Sequence, residues 1–270
     1  MPKLRPLLFA LIFSLNLSTA FGEDPLLDAL GAGDIKTVDS ILLKLKSTIE
    51  DKRGQGTLPA LTFEELYSPL NDGEKKFLKT LQAVPPETLG IKTPYLGIPE
   101  TAPDLVRIEN QPVQKDGQSL LIDAQYLPVA VYEQYESMMQ AMEKELGRRL
   151  YVESGYRSPA YQLYLFVYYL VQHRYSVRET AQWNAFPGYS EHGWPDRQAI
   201  DFISKDGVSG EGKPELFEKL AEYEWLLKHA GKYHFFLSYP KNNSTGVSFE
   251  PWHWHYEEPN ALPDARKNKP

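Results

Sequence analysis

Apolar residues at Leu26, Leu27 and Leu30, then at Ile35, Val38, Ile41, Leu42 and Leu45, recur three and four positions apart with polar residues between them. That period predicts helices with one buried stripe, and it continues to about Ala83. Gly31 and Gly33 interrupt its start, Asp34 is placed to cap the second run, and Gly54 to Gly56 break it again. Shorter helices are expected over 63–67 and, behind Asn71 and Asp72, over 74–81. Between positions 85 and 112 the prolines Pro85, Pro86, Pro94, Pro99, Pro103 and Pro112 leave little period, which predicts an extended connection.

From Leu120 the pattern changes. A helix is expected over 129–146, with Tyr132, Tyr135, Met139, Met142 and Leu146 on one side and Gly147 beyond its end. A short strand over 150–153 leads to a turn, and Ser158 then caps a helix that has Pro159 at its first position and runs to about 173. Strands are expected over 199–203, 234–239 and 247–256, and a helix over 214–230. Strands and helices mix without a repeating unit. The fold class is therefore α+β, a small, mostly antiparallel sheet with helices packed on it, plus a helical N-terminal extension. The expected divisions are a leader at 1–22, the extension at 23–99, the main domain at 100–260 and a tail at 261–270. The extension's apolar faces are sparse for an independent core. With Ile91, Tyr95, Leu96, Ile98, Leu105 and Val106 as anchors, it is expected to dock on the main domain.

Charge and composition narrow the chemistry. The 270 residues carry 29 Lys+Arg against 36 Asp+Glu, a net charge of −7, and no basic run, so no nucleic-acid partner is expected. There is no cysteine, which removes disulfides, thiolate metal sites and a cysteine nucleophile, so any metal must be held by His, Asp or Glu. Lys3 and Arg5, an apolar stretch over 7–17 and the small residues Ser18, Thr19, Ala20 and Gly22 form the three parts of a signal peptide. Such a stretch rises only about 16 Å as a helix against roughly 30 Å of hydrocarbon. Export to the periplasm or cell envelope is expected, with a mature chain starting near Glu23 and no membrane span in it.

Asp201 stands inside the apolar run Ala199 to Ile203. A carboxylate there is costly unless a cation or strong donors meet it, although an outward strand position would explain it equally well. His192 precedes it in a Gly- and Pro-bearing turn that can return beside the strand. Glu250 and His253 stand three apart; strict alternation would set them on opposite faces, but Pro251 permits an irregular entry that turns Glu250 back. His253 and His255, two apart, are an alternative ligand pair. Arg157 lies just before the Ser158–Pro159 helix start, where its planar fork suits a carboxylate or an oxyanion.

Taken in order, SGYRS with Gln162, then Ser190-x-His192 with Ala199-x-Asp201, then Glu250-x-Trp252-His253 resembles the D-alanyl-D-alanine carboxypeptidase family of the VanY type. These are zinc peptidases of the bacterial cell wall, related in fold to the hedgehog amino-terminal domain. The resemblance implies a zinc ion (Zn2+) held by His192, Asp201 and His253, with Glu250 as general base. It also implies that Arg157, Gln162 and Ser190 contact the substrate, a peptidoglycan stem peptide. The implied activity is D-Ala-D-Ala carboxypeptidase first, with L,D-carboxypeptidase or cross-link endopeptidase as the alternative. A non-catalytic wall-binding module is the alternative from another class, and it would be expected to lack Glu250 or a ligand. Two departures stand out. His192 and Asp201 are two residues further apart than the family usually shows, with Arg197 where a glycine is common, and His255 replaces a common arginine.

Overall fold

In the computed structural model, which describes residues 25–99, 102–115, 117–210 and 213–258, the extension is helical. The expected leader at 1–22 and tail at 261–270 lie outside the described residues. Helices α1 (Pro25–Asp28), α2 (Ala32–Gly54), α3 (Phe63–Tyr67) and α4 (Asp72–Gln82) follow one another. Helix α2 starts before the expected Asp34 cap: Gly31 is its N-cap, Gly33 is inside it, and Asp34 lies in the first turn, where a carboxylate still complements the helix dipole. Helices α3 and α4 are each started by a reciprocal capping box, Thr62 with Glu65 and Asn71 with Glu74.

Four short strands fill the stretch read from sequence as an extended connection and its sequel. Strand β1 (Leu105–Ile108) pairs with β4 (Gln125–Pro128), and β2 (Pro112–Lys115) pairs with β3 (Gln118–Leu121), both antiparallel. Then come α5 (Val129–Leu146), β5 (Leu150–Ser154), α6 (Pro159–Gln172), α7 (Val177–Ala181), β6 (Ala199–Ser204), α8 (Pro214–Phe217), α9 (Ala221–His229), β7 (Phe235–Leu237) and β8 (His253–Tyr256). The single helix expected over 214–230 is two, because Leu220 takes an extended conformation between them. The strand expected from 247 begins only at His253. Before it, Pro251 offers no ladder donor, and the His253 N–H turns back to the Glu250 carbonyl at 3.1 Å.

The main sheet runs β5-β6-β8-β7, antiparallel throughout. One face carries Val152, Ile200, Phe202, Phe235, Trp254 and Tyr256, which share a buried cluster with Tyr135, Met138, Met139 and Met142 of α5. Period-2 alternation aims Asp201 and His253 at the other face. A second cluster joins Val38, Ile41, Leu45 and Ile49 of α2 and Leu78 and Leu81 of α4 to Leu163, Phe166, Val167 and Leu170 of α6. The extension and α6 therefore share one core. The α6 cap is tied in as well: Ser158 Oγ accepts from Tyr161 N–H at 3.1 Å and donates to the Leu61 carbonyl at 2.5 Å. Two of the expected anchors, Tyr95 and Ile98, are largely exposed, whereas Ile91 and Leu96 are buried.

Candidate active site

Asp201 and His253 are direct cross-strand partners on β6 and β8, which puts their side chains side by side on one face. The 2.8 Å gap between Asp201 Oδ1 and His253 Nδ1 follows from that register. His192 reaches the same point from a turn of 3-10 helix, Glu191–Gly193, where Ser190 Oγ accepts from the His192 backbone N–H at 3.3 Å. The imidazole donates Nδ1–H to the Gly155 carbonyl at 2.7 Å, so the other nitrogen keeps its lone pair. Gly155 itself is pressed so tightly on the Tyr126 carbonyl that a Cβ would not fit.

That lone pair is the informative atom. His192 Nε2 is buried without a hydrogen-bond partner among the described residues, yet it lies 3.2 Å from Asp201 Oδ2. Burial, helped by the Arg157 cation, pushes His192 down to about 4, so the ring is neutral at pH 7. Two acceptors facing each other in a buried site repel unless a cation stands between them. His192, Asp201 and His253 each offer a ligand atom, all within 4.8 Å of one another. This donor set fits a divalent metal with a position left open.

His253 is held from both sides. Nε2 lies 3.0 Å from Glu191 Oε2, the carboxylate–histidine arrangement that orients a metal-binding imidazole. Burial alone would lower its pKa, but Asp201, Glu191 and Glu250 outweigh burial and lift it to about 10 in the metal-free protein. Glu191 also accepts from Arg197 Nε at 2.7 Å and Ser238 Oγ at 2.5 Å. Its carboxylate stays ionised despite burial, because His253, His255 and Arg197 surround it. Asp201 is likewise held well below its usual range by the two imidazoles.

Glu250 lies in the turn before β8, its Oε2 3.6 Å from His253 Nδ1. Burial, with the Asp201 and Glu191 carboxylates adding to it, pushes Glu250 up to about 8 against the opposing His253 and Arg157 charges. Arg157 is placed by its own N–H, which donates to the His192 carbonyl at 2.9 Å, and its guanidinium lies 3.7 Å from Asp201. Gln162, on the buried side of α6, donates Nε2–H to the Ala185 carbonyl at 2.8 Å. All seven residues singled out in the sequence (Arg157, Gln162, Ser190, His192, Asp201, Glu250 and His253) line one cavity of about 750 Å³.

His255 is not in the metal cluster. It sits two register positions further along the sheet, opposite Ala199, and meets Ser238 Oγ at 2.7 Å and Glu257 at 3.1 Å. The two departures from the family pattern therefore meet: Arg197, from the lengthened turn, bonds both Glu191 and Glu257 (2.6 Å) beside His255. Sequence reasoning missed Glu191 and Tyr239. Glu191 is adjacent to His192, but its partners come from positions 197, 238 and 253, which no local spacing relates. The Tyr239 ring stands 5.0 Å from that of His253, and nothing local marks it.

A His–Asp–His cluster with a buried glutamate beside it, set on an antiparallel sheet, defines the centre of a metallohydrolase class. A family model described as VanY, D-alanyl-D-alanine carboxypeptidase, matches residues 124–259, just over half of the chain, and the chain belongs to that family. It is 33% identical over 133 residues to the bifunctional D-Ala-D-Ala dipeptidase and D-Ala-D-Ala carboxypeptidase VanXYC of Enterococcus gallinarum, covering 48% of this chain and 67% of that one. YodJ of Bacillus subtilis (strain 168) is 32% identical over 140 residues, 50% of this chain and 48% of that protein. The chain thus spans about half the length of YodJ and two thirds of VanXYC. Among solved structures, the LdcB LD-carboxypeptidase aligns with 27% identity over 65% of this chain and 79% of that one, at a TM-score of 0.45.

Proposed function

We propose that the chain is an exported, zinc-dependent peptidase of peptidoglycan stem peptides that acts as a D-Ala-D-Ala carboxypeptidase. The observation that carries this reading is the buried, unpartnered His192 Nε2 facing Asp201 Oδ2 at 3.2 Å, with His253 completing the set. Two imidazoles and one carboxylate, with no cysteine, are a donor set of catalytic zinc. Family membership supports the substrate class. The signal-peptide pattern at residues 1–22 supports export.

His192, Asp201 and His253 would hold the zinc, which would supply Lewis-acid polarisation of the scissile carbonyl and acidification of a water. Glu250, beside the cluster, would be kept ionised by the cation's charge, and as general base it would accept a proton from the attacking water and return it to the leaving amine. The hydroxyl goes to the carbonyl carbon, the C–N bond breaks, and free D-Ala departs. Arg157 faces the same space and holds negative charge, either on the carbonyl oxygen or on the terminal carboxylate. Glu191 keeps the Nε2–H of His253 occupied, which leaves Nδ1 for the metal. Glu250→Gln tests the assignment. It should keep its zinc by elemental analysis and lose roughly 10²–10⁴ in turnover of a stem pentapeptide; near-normal turnover would remove Glu250 from the chemistry.

A further inference from the structure

Residues 90–97 cross the molecule between the two loops that carry the site. The Lys92 N–H donates to the Thr245 carbonyl at 2.6 Å, and the N–H groups of Leu96 and Gly97 both donate to the Gly188 carbonyl, at 2.8 and 3.1 Å. The first anchor is on the loop leading to Glu250, the second on the loop leading to Ser190, Glu191 and His192. Both contacts need a glycine. Gly246 and Gly188 have φ of +81° and +85°, and a Cβ would run into the Gly90 carbonyl at the one and the Tyr95 ring at the other. This strap lies outside residues 124–259, the span that the family model matches.

Thr93 stands between the two anchors and lines the same cavity as His192, Glu250 and His253. Its Oγ1 is buried without a hydrogen-bond partner among the described residues, as are Arg157 Nε and Gln162 Oε1 on the same cavity. The Gln162 orientation follows from its amide nitrogen donating to the Ala185 carbonyl. Unpaired buried polar atoms are costly. A guanidinium donor, an amide acceptor and a hydroxyl around one cleft are the complement of a peptide backbone, which brings C=O and N–H groups together.

We propose that Thr93 is a substrate-binding contact: its hydroxyl hydrogen-bonds the backbone of the bound stem peptide, so the extension forms one wall of the substrate groove. This rests on the peptidase function proposed above and deepens it. The test is calorimetric binding of a stem pentapeptide ending in D-Ala-D-Ala to the zinc-loaded full chain, in a Glu250→Gln background that prevents turnover. Thr93→Val keeps the shape and deletes the hydroxyl, and should weaken Kd by roughly 5–30-fold. Thr93→Ser should restore it to within about threefold of the parent. Thr93→Ala replaces the valine variant if that protein does not fold. Equal Kd for the parent and Thr93→Val, or equal losses in the Val and Ser variants, overturns the hydroxyl contact alone. No binding by the parent overturns the proposed function and this contact with it.

Discussion

At the scale of single residues, the site is governed by where protons sit when the metal is absent. His192 is neutral at pH 7 and its lone pair is already free. His253 is different: Asp201 and Glu191 hold its proton until about pH 10. A metal must displace that proton, so affinity rises with pH below about 10. Folding of the metal-free protein depends on pH with the opposite sign. A histidine raised in the folded state stabilises the metal-free protein fully below its ordinary value near 6.5, and that contribution fades as pH rises through about 10. Chelator competition between pH 6 and 8 should show zinc affinity climbing about tenfold per pH unit or more. Glu191→Gln should lie about 10–100-fold weaker, through loss of its hold on His253. A flat profile in the wild type would contradict the proton assignment on His253.

Among the elements, the strap at 90–97 rests on backbone contacts that side-chain substitution cannot easily relieve. Gly246→Ala combines a positive φ with a clash against the Gly90 carbonyl. Gly147→Ala, at the end of α5, has φ +65° and open space around it. The first should cost about 1–3 kcal/mol more than the second, read as a melting temperature lower by several degrees; equal losses would mean that the strap is not tightly seated. These elements differ in how far they could be read beforehand. Helices α2, α4, α5 and α6 were legible because one stripe, a cap or a terminal glycine marks each. The three motifs that meet in the cavity were legible because their residue types and order are unusual together. The β1–β4 and β2–β3 pairs were not. Their strands are four residues long, too short to show alternation. The 247–252 stretch was read as strand from its composition, and Pro251 with the His253-to-Glu250 turn decided otherwise.

For the whole molecule, two buried clusters meet at the cavity. The first sets the sheet on α5, which fixes the Asp201–His253 pair. The second seats the extension on α6, and from there the strap reaches the loops of His192 and Glu250. Sequence showed the apolar anchors of that arrangement but not that Thr93 lines the cavity, because its place there depends on two loops far away in the chain. The central claim is hydrolysis of a terminal D-Ala by a metal held on His192, Asp201 and His253. Mass spectrometry of a stem pentapeptide incubated with the full chain tests it most directly. The account predicts loss of one D-Ala with the zinc-loaded protein, no loss after chelation, and recovery when zinc is returned. Release of D-Ala unaffected by removal of the metal, or no cleavage by the zinc-loaded protein, would contradict it.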